Sequence, residues 1–65
     1  MAKVHVFIEY KDESGFDFEI TLDGSEKEVV GEVKMITRGT LISSNAYKAV
    51  AYNEDGFDIC AYYNE

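Results

Sequence analysis

Apolar and polar residues alternate along the first third of the chain. From 3 to 11 the order is Lys-Val-His-Val-Phe-Ile-Glu-Tyr-Lys, which places Val4, Val6, Ile8 and Tyr10 on one face. A strict period of two predicts a strand with one side buried. Asp12-Glu13-Ser14-Gly15 supplies turn residues, after which Phe16, Phe18, Ile20 and Leu22 alternate with Asp17, Glu19, Thr21 and Asp23. The pair of segments reads as a hairpin.

At Ser25 the period changes. Ser25 and Glu28 have capping-box spacing, in which each side chain satisfies a backbone N–H of the first helical turn. Val29, Val30, Val33 and Ile36 follow at helical spacing, leaving Glu26, Glu28, Glu32 and Lys34 for the wet side. Arg38 and then Gly39 form a stop signal, so a helix is predicted over 26–38. Gly31 inside it costs up to about 1 kcal/mol relative to alanine, a cost that close approach of helix to sheet would explain. Residues 40–45 read as a connector anchored by Leu41 and Ile42. Asn53-Glu54-Asp55-Gly56 then separates 46–53 from 57–63, and Asp-Gly between aromatic and β-branched runs signals a second hairpin. In its last strand Phe57, Ile59, Ala61 and Tyr63 alternate with Asp58, Cys60 and Tyr62.

The predicted fold class is therefore α+β, in the order ββαββ: a four-stranded antiparallel sheet with one helix packed on one face. Residues 1–65 make a single domain, since a chain this short buries only about 60 % of its unfolded surface and cannot support two cores. The pattern leaves open which hairpin strands are neighbours in the sheet.

Charge adds to this picture. Thirteen acids against six bases give a net charge of −7, in a chain that is 46 % hydrophobic and 14 % aromatic. That content of aromatic and aliphatic residues separates it from disordered acidic tails. The imbalance is concentrated early: residues 1–32 carry nine acids and three bases (net −6), residues 33–65 four and three (net −1). Such a surface repels nucleic acid and anionic membranes and attracts basic proteins. The start of the chain shows no secretory pattern, and Cys60 is the single cysteine, so the expected location is the cytoplasm.

The residues offer little for catalysis. His5 and Cys60 are too few for a structural metal site, and the turn acids lack the ordered spacing of a calcium loop, so no cofactor or metal is expected. A His5–Cys60 nucleophile pair or a carboxylate pair would need a cleft that four strands and a helix do not readily form. The chain reads as a non-enzyme.

Binding is the remaining reading. With Val4, Val6, Ile8, Phe16, Phe18 and Ile20 under the helix, the opposite face presents His5, Phe7, Glu9, Asp17, Glu19, Thr21 and Asp23. Alternate strand residues repeat about every 6.6–6.8 Å, so Glu9, Asp17, Glu19 and Asp23 can present charge as a nucleic-acid backbone does. Glu54, Asp55 and Asp58 form a second acidic group, while Phe7 and Tyr52 supply aromatic anchors of the kind that hold protein interfaces. An ordinary solubilising surface is the competing explanation.

In size, charge, ββαββ order and the segment Ala49-Val50-Ala51-Tyr52-Asn53-Glu54-Asp55-Gly56, the chain resembles the small acidic phage-encoded inhibitors of bacterial defence, the type I anti-CRISPR proteins. The resemblance covers the whole chain in shape and about eight residues in motif. It implies a DNA-mimic-like inhibitor of the basic surface on which a Cascade-like complex recognises DNA. The expected partner is thus a basic nucleic-acid-binding protein, with the chain itself a monomer or weak homodimer that binds neither nucleic acid nor membrane. Two alternatives stand beside this: an antitoxin or immunity-type protein capping a basic toxin, and a homo-oligomeric interaction module.

Overall fold

A computed structural model describes residues 1–64. Four strands and one helix follow in the order β1 (Ala2–Glu9), β2 (Gly15–Leu22), α1 (Glu26–Ser43), β3 (Lys48–Asn53) and β4 (Asp58–Tyr63). All adjacent strands are antiparallel, and the sheet order is β2-β1-β3-β4. The predicted α+β, ββαββ architecture is the one observed. The helix carries the chain across β1, so β1 and β3 become the inner strands and β2 and β4 the edges.

The first hairpin closes through a three-residue connection. The Glu13 N–H donates to the Tyr10 carbonyl at 3.0 Å and the Tyr10 N–H to the Ser14 carbonyl at 2.8 Å. This is a turn followed by one left-handed residue, and that residue is Glu13, at φ 72°. Gly15, predicted to belong to the turn, pairs instead with Glu9 inside the ladder. A Cβ at Gly15 would collide with the Ile8 carbonyl oxygen, so the glycine is required by strand proximity.

The helix begins as its capping box predicts. Ser25 Oγ accepts from the Glu28 N–H at 3.3 Å, and Glu28 Oε1 accepts from the Ser25 N–H at 3.3 Å and from its hydroxyl at 2.9 Å. Its end differs from the prediction: the helix runs through Gly39 to Ser43. The stop lies at Asn45, whose φ of 54° is left-handed. There the Asn45 N–H donates to Ile42 and the Ala46 N–H to Leu41, both at 3.2 Å. That pair of bonds is the Schellman arrangement, and its usual apolar contact is supplied by buried Leu41 and Ala46. The extra turn brings Leu41 into the core, which a connector starting at residue 40 would not achieve.

Val29, Val33, Thr37 and Leu41 are the buried positions of α1, a stripe at four-residue intervals. The apolar members of that stripe cluster with Val4, Val6, Ile8, Ala49 and Ala51. The core side of β3 carries the small residues Ala49 and Ala51, both 0 % exposed, whereas Gly31 permits no close approach to the sheet, because its missing side chain faces open space.

The last strand also departs from strict alternation. Ala51 pairs with Cys60, but Tyr52 pairs with Asp58, leaving Ile59 as a bulged residue that packs against the core. Cys60 and Tyr62 consequently share the helix side of the sheet, while Ala61 and Tyr63 lie on the other. Phe57 precedes the strand and stays 69 % exposed.

The helix lies over β1, β3 and β4 and makes little contact with β2. The inward row of β2 is therefore only partly covered: Phe16 is 43 % exposed, and Phe18, Ile20 and Leu22 are half-buried. Placing this row under the helix together with Val4, Val6 and Ile8, as the pattern suggested, holds for β1 and only partly for β2.

Candidate functional site

On the face away from α1, the register sets His5 beside Glu19 on one side and Tyr52 on the other. Phe7 sits between Asp17 and Val50, and Glu9 between Gly15 and Lys48. Residues directly opposite in an antiparallel ladder have Cβ atoms about 4.5–5.5 Å apart, so these side chains form a continuous surface.

Aromatic rings occupy the middle of it. His5 stacks on Phe7 with centroids 4.6 Å apart and planes inclined by 12°. Phe7 meets Tyr52 edge-on, at 5.4 Å and 81°. Imidazole, phenyl and phenol thus hold one another upright across β1 and β3, in the geometries favoured by ring quadrupoles. Phe7 remains 45 % exposed although it lies at the centre of the sheet.

Carboxylates border the rings. Asp17 Oδ2 lies 2.5 Å from His5 Nε2, a diagonal contact across β1 and β2. Glu19 is beside it on β2. Glu54, in the turn between β3 and β4, accepts the Lys3 N–H at 3.3 Å. Its backbone turn is held by the Asn53 side chain, which accepts the N–H groups of Asp55 at 2.9 Å and Phe57 at 3.0 Å. Asp58 pairs with Tyr52 across β3 and β4. A shallow depression of about 410 Å³ lies among His5, Phe7, Tyr52, Asn53, Glu54 and Gly56.

Of the residues selected from sequence, Phe7, Tyr52, Asp17, Glu19, Glu54 and Asp58 therefore share this face. Glu9 lies at the far end of β1, opposite Lys48. Asp23 falls beyond the end of β2, and Asp55 lies in the β3–β4 turn; both are exposed. Alternation in β1 places His5 on this face, although sequence reasoning assigned it no binding role and passed over Lys48 and Val50. The place of Lys48 and Val50 follows from the β1–β3 pairing, which the local pattern did not specify.

His5 and Cys60 point to opposite sides of the sheet and cannot act as a thiolate–imidazole pair. Among the described residues, no group of three or more His, Cys, Asp or Glu is arranged to hold a metal ion, and no helix is long and apolar enough to cross a membrane. A larger depression, about 520 Å³, lies at the other end of the sheet and includes Tyr10, Lys11, Asp12 and Tyr47. There Lys11 Nζ already lies 5.9 Å from the Tyr47 ring centre.

A scan against protein-family models and searches of curated proteins and of solved structures return no match to this chain.

Proposed function

We propose that this chain is a non-catalytic inhibitor that occludes a basic nucleic-acid-binding surface of a bacterial defence complex, acting in the cytoplasm of the host cell. The observation that carries this reading is the uncovered sheet face, with His5, Phe7 and Tyr52 at its centre and Asp17, Glu19, Glu54 and Asp58 around them. Exposed aromatics give a binding surface its anchor, and surrounding charge gives it steering and choice of partner. With a net charge of −7, the partner is basic. The resemblance to type I anti-CRISPR proteins supplies the target class, the DNA-recognising subunit of a Cascade-like complex.

The test is displacement of target DNA from such a complex, followed by mobility shift at low and at high salt. Inhibition that weakens steeply with salt supports the reading, because exposed charges are screened within about 10 Å at 0.1 M. The double substitution Asp17→Lys, Glu19→Lys should abolish inhibition with the circular dichroism spectrum unchanged. Normal inhibition by that variant, or inhibition indifferent to salt, would overturn it.

A further inference from the structure

The two edges of the sheet are finished differently. β4 has six residues, is interrupted by the Ile59 bulge and is covered by the helix. β2 has eight residues, pairs with β1 without interruption and contains no proline or lysine. Long regular edges of this kind are templates for strand addition, and proteins normally blunt them.

The hydrogen-bond pattern shows which groups the edge offers. Tyr10 and Ser14 form a bonded pair, so by alternation Phe16, Phe18, Ile20 and Leu22 spend their backbone groups on β1. The N–H and C=O groups of Asp17, Glu19 and Thr21 are directed outward. On one side of this edge stand the acidic side chains of Asp17 and Glu19. On the other stands the row Phe16, Phe18, Ile20 that the helix leaves part-exposed.

A second copy of the chain does not fit this edge. The two antiparallel registers of greatest overlap set Glu19 against Glu19 or Asp17 against Glu19, and like charges directly opposite are destabilising. The same arithmetic favours a strand of opposite charge. We propose that β2 receives an extended segment of another protein, with Lys or Arg at alternate positions and aliphatic or aromatic residues between them. Its basic side chains meet Asp17 and Glu19, its apolar ones cover Phe16, Phe18 and Ile20, and its backbone bonds the free groups of Asp17, Glu19 and Thr21. This rests on the proposed function only for the basic character of the partner.

The experiment titrates the protein with a blocked peptide alternating lysine and valine, as long as β2, followed by amide chemical shifts and hydrogen exchange. Binding should shift the amides of Asp17, Glu19 and Thr21 and slow their exchange. A peptide of the same composition with its lysines and valines in two blocks, and one N-methylated on its bonding edge, should each bind at least about tenfold more weakly. The variant Thr21→Pro removes one outward N–H without touching the β1 ladder and should also weaken binding, by roughly three- to tenfold. Equal binding by all three peptides, or shifts confined to α1 or β4, overturns the proposal; so does concentration-dependent self-association through β2. Peptide binding by a protein that fails to displace DNA would overturn the proposed function and leave this inference standing. DNA displacement without peptide binding would do the reverse.

Discussion

His5 Nε2 and Asp17 Oδ2 lie 2.5 Å apart on the open face of the sheet, with side chains 39 % and 52 % exposed. An exposed pair of this kind contributes between nothing and about 1 kcal/mol, because water and salt screen it. Its consequence is positional: it orients the imidazole that stacks on Phe7. Asp17→Asn should therefore change stability to urea by less than about 1 kcal/mol. Partner binding should fall at the same time, and become less sensitive to salt. A loss of several kcal/mol with binding preserved would make the pair a structural element and not part of an interface.

Gly15 should tolerate no side chain. The Cβ of Gly15→Ala would meet the Ile8 carbonyl oxygen, so β1 and β2 must separate locally or shift register. Overpacking of this kind costs about 1–3 kcal/mol. Chemical denaturation should give that loss, and amide exchange at Ile8 and Phe16 should rise. An alanine variant as stable as the parent would contradict the strand approach described for this end of the hairpin.

The helix end gives a paired prediction. Gly39 lies inside α1 with open space where a side chain would go, so Gly39→Ala should stabilise by about 0.5–1 kcal/mol. Asn45, at φ 54°, carries the stop, and Asn45→Ala should destabilise by about 1 kcal/mol or more. Thermal melts of both variants decide the matter. If Gly39→Ala were the destabilising one, the helix would end where the sequence pattern put it.

These cases mark what was legible in the sequence. Period two in β1 and β2, the Ser25–Glu28 box and the Asp-Gly turn are local signals, and each gave its element directly. Glycine identity was the weaker guide. Gly39 resembled a stop because the pattern does not show that Asn45 can take the left-handed conformation, or that Leu41 is needed in the core. The candidate site was half legible for a related reason. Asp17 and Glu19 follow from alternation within one hairpin, whereas His5 beside Tyr52 and Glu9 beside Lys48 depend on β1 pairing with β3, a contact between distant segments. The Ile59 bulge likewise interrupts an alternation that the residues themselves display.

Thr37 is wholly buried in α1, and its Oγ1 has no hydrogen-bond partner among the described residues. A buried hydroxyl left without a partner costs about 1–3 kcal/mol. Thr37→Val keeps the branched shape and removes that hydroxyl, so it should be neutral or raise stability by about 1 kcal/mol, despite the ordinary penalty of such swaps in a paired site. Urea denaturation with an unchanged slope would report it. A clear loss of stability would mean that the hydroxyl is paired in solution.

Stability should also respond to acid through the two turn carboxylates. Glu28 is held below its ordinary value of 4.5, first by the Ser25 hydroxyl and then by the Ser25 N–H. Asp12 is held below 3.8, first by the Ser14 hydroxyl and then by the Ser14 N–H. A carboxyl group depressed in the folded state binds its proton more readily when unfolded. Its contribution is therefore complete above the unfolded value and is lost as pH falls through the folded one. The melting temperature should be insensitive to these two groups at neutral pH and decline below about pH 4.5. Glu28→Gln keeps a capping side chain but cannot titrate, so its melting curve should lie below the parent's at neutral pH and converge on it in acid. Parallel curves across that range would show that Glu28 titrates alike in the folded and unfolded chain, and that its bonds to Ser25 do not persist in solution.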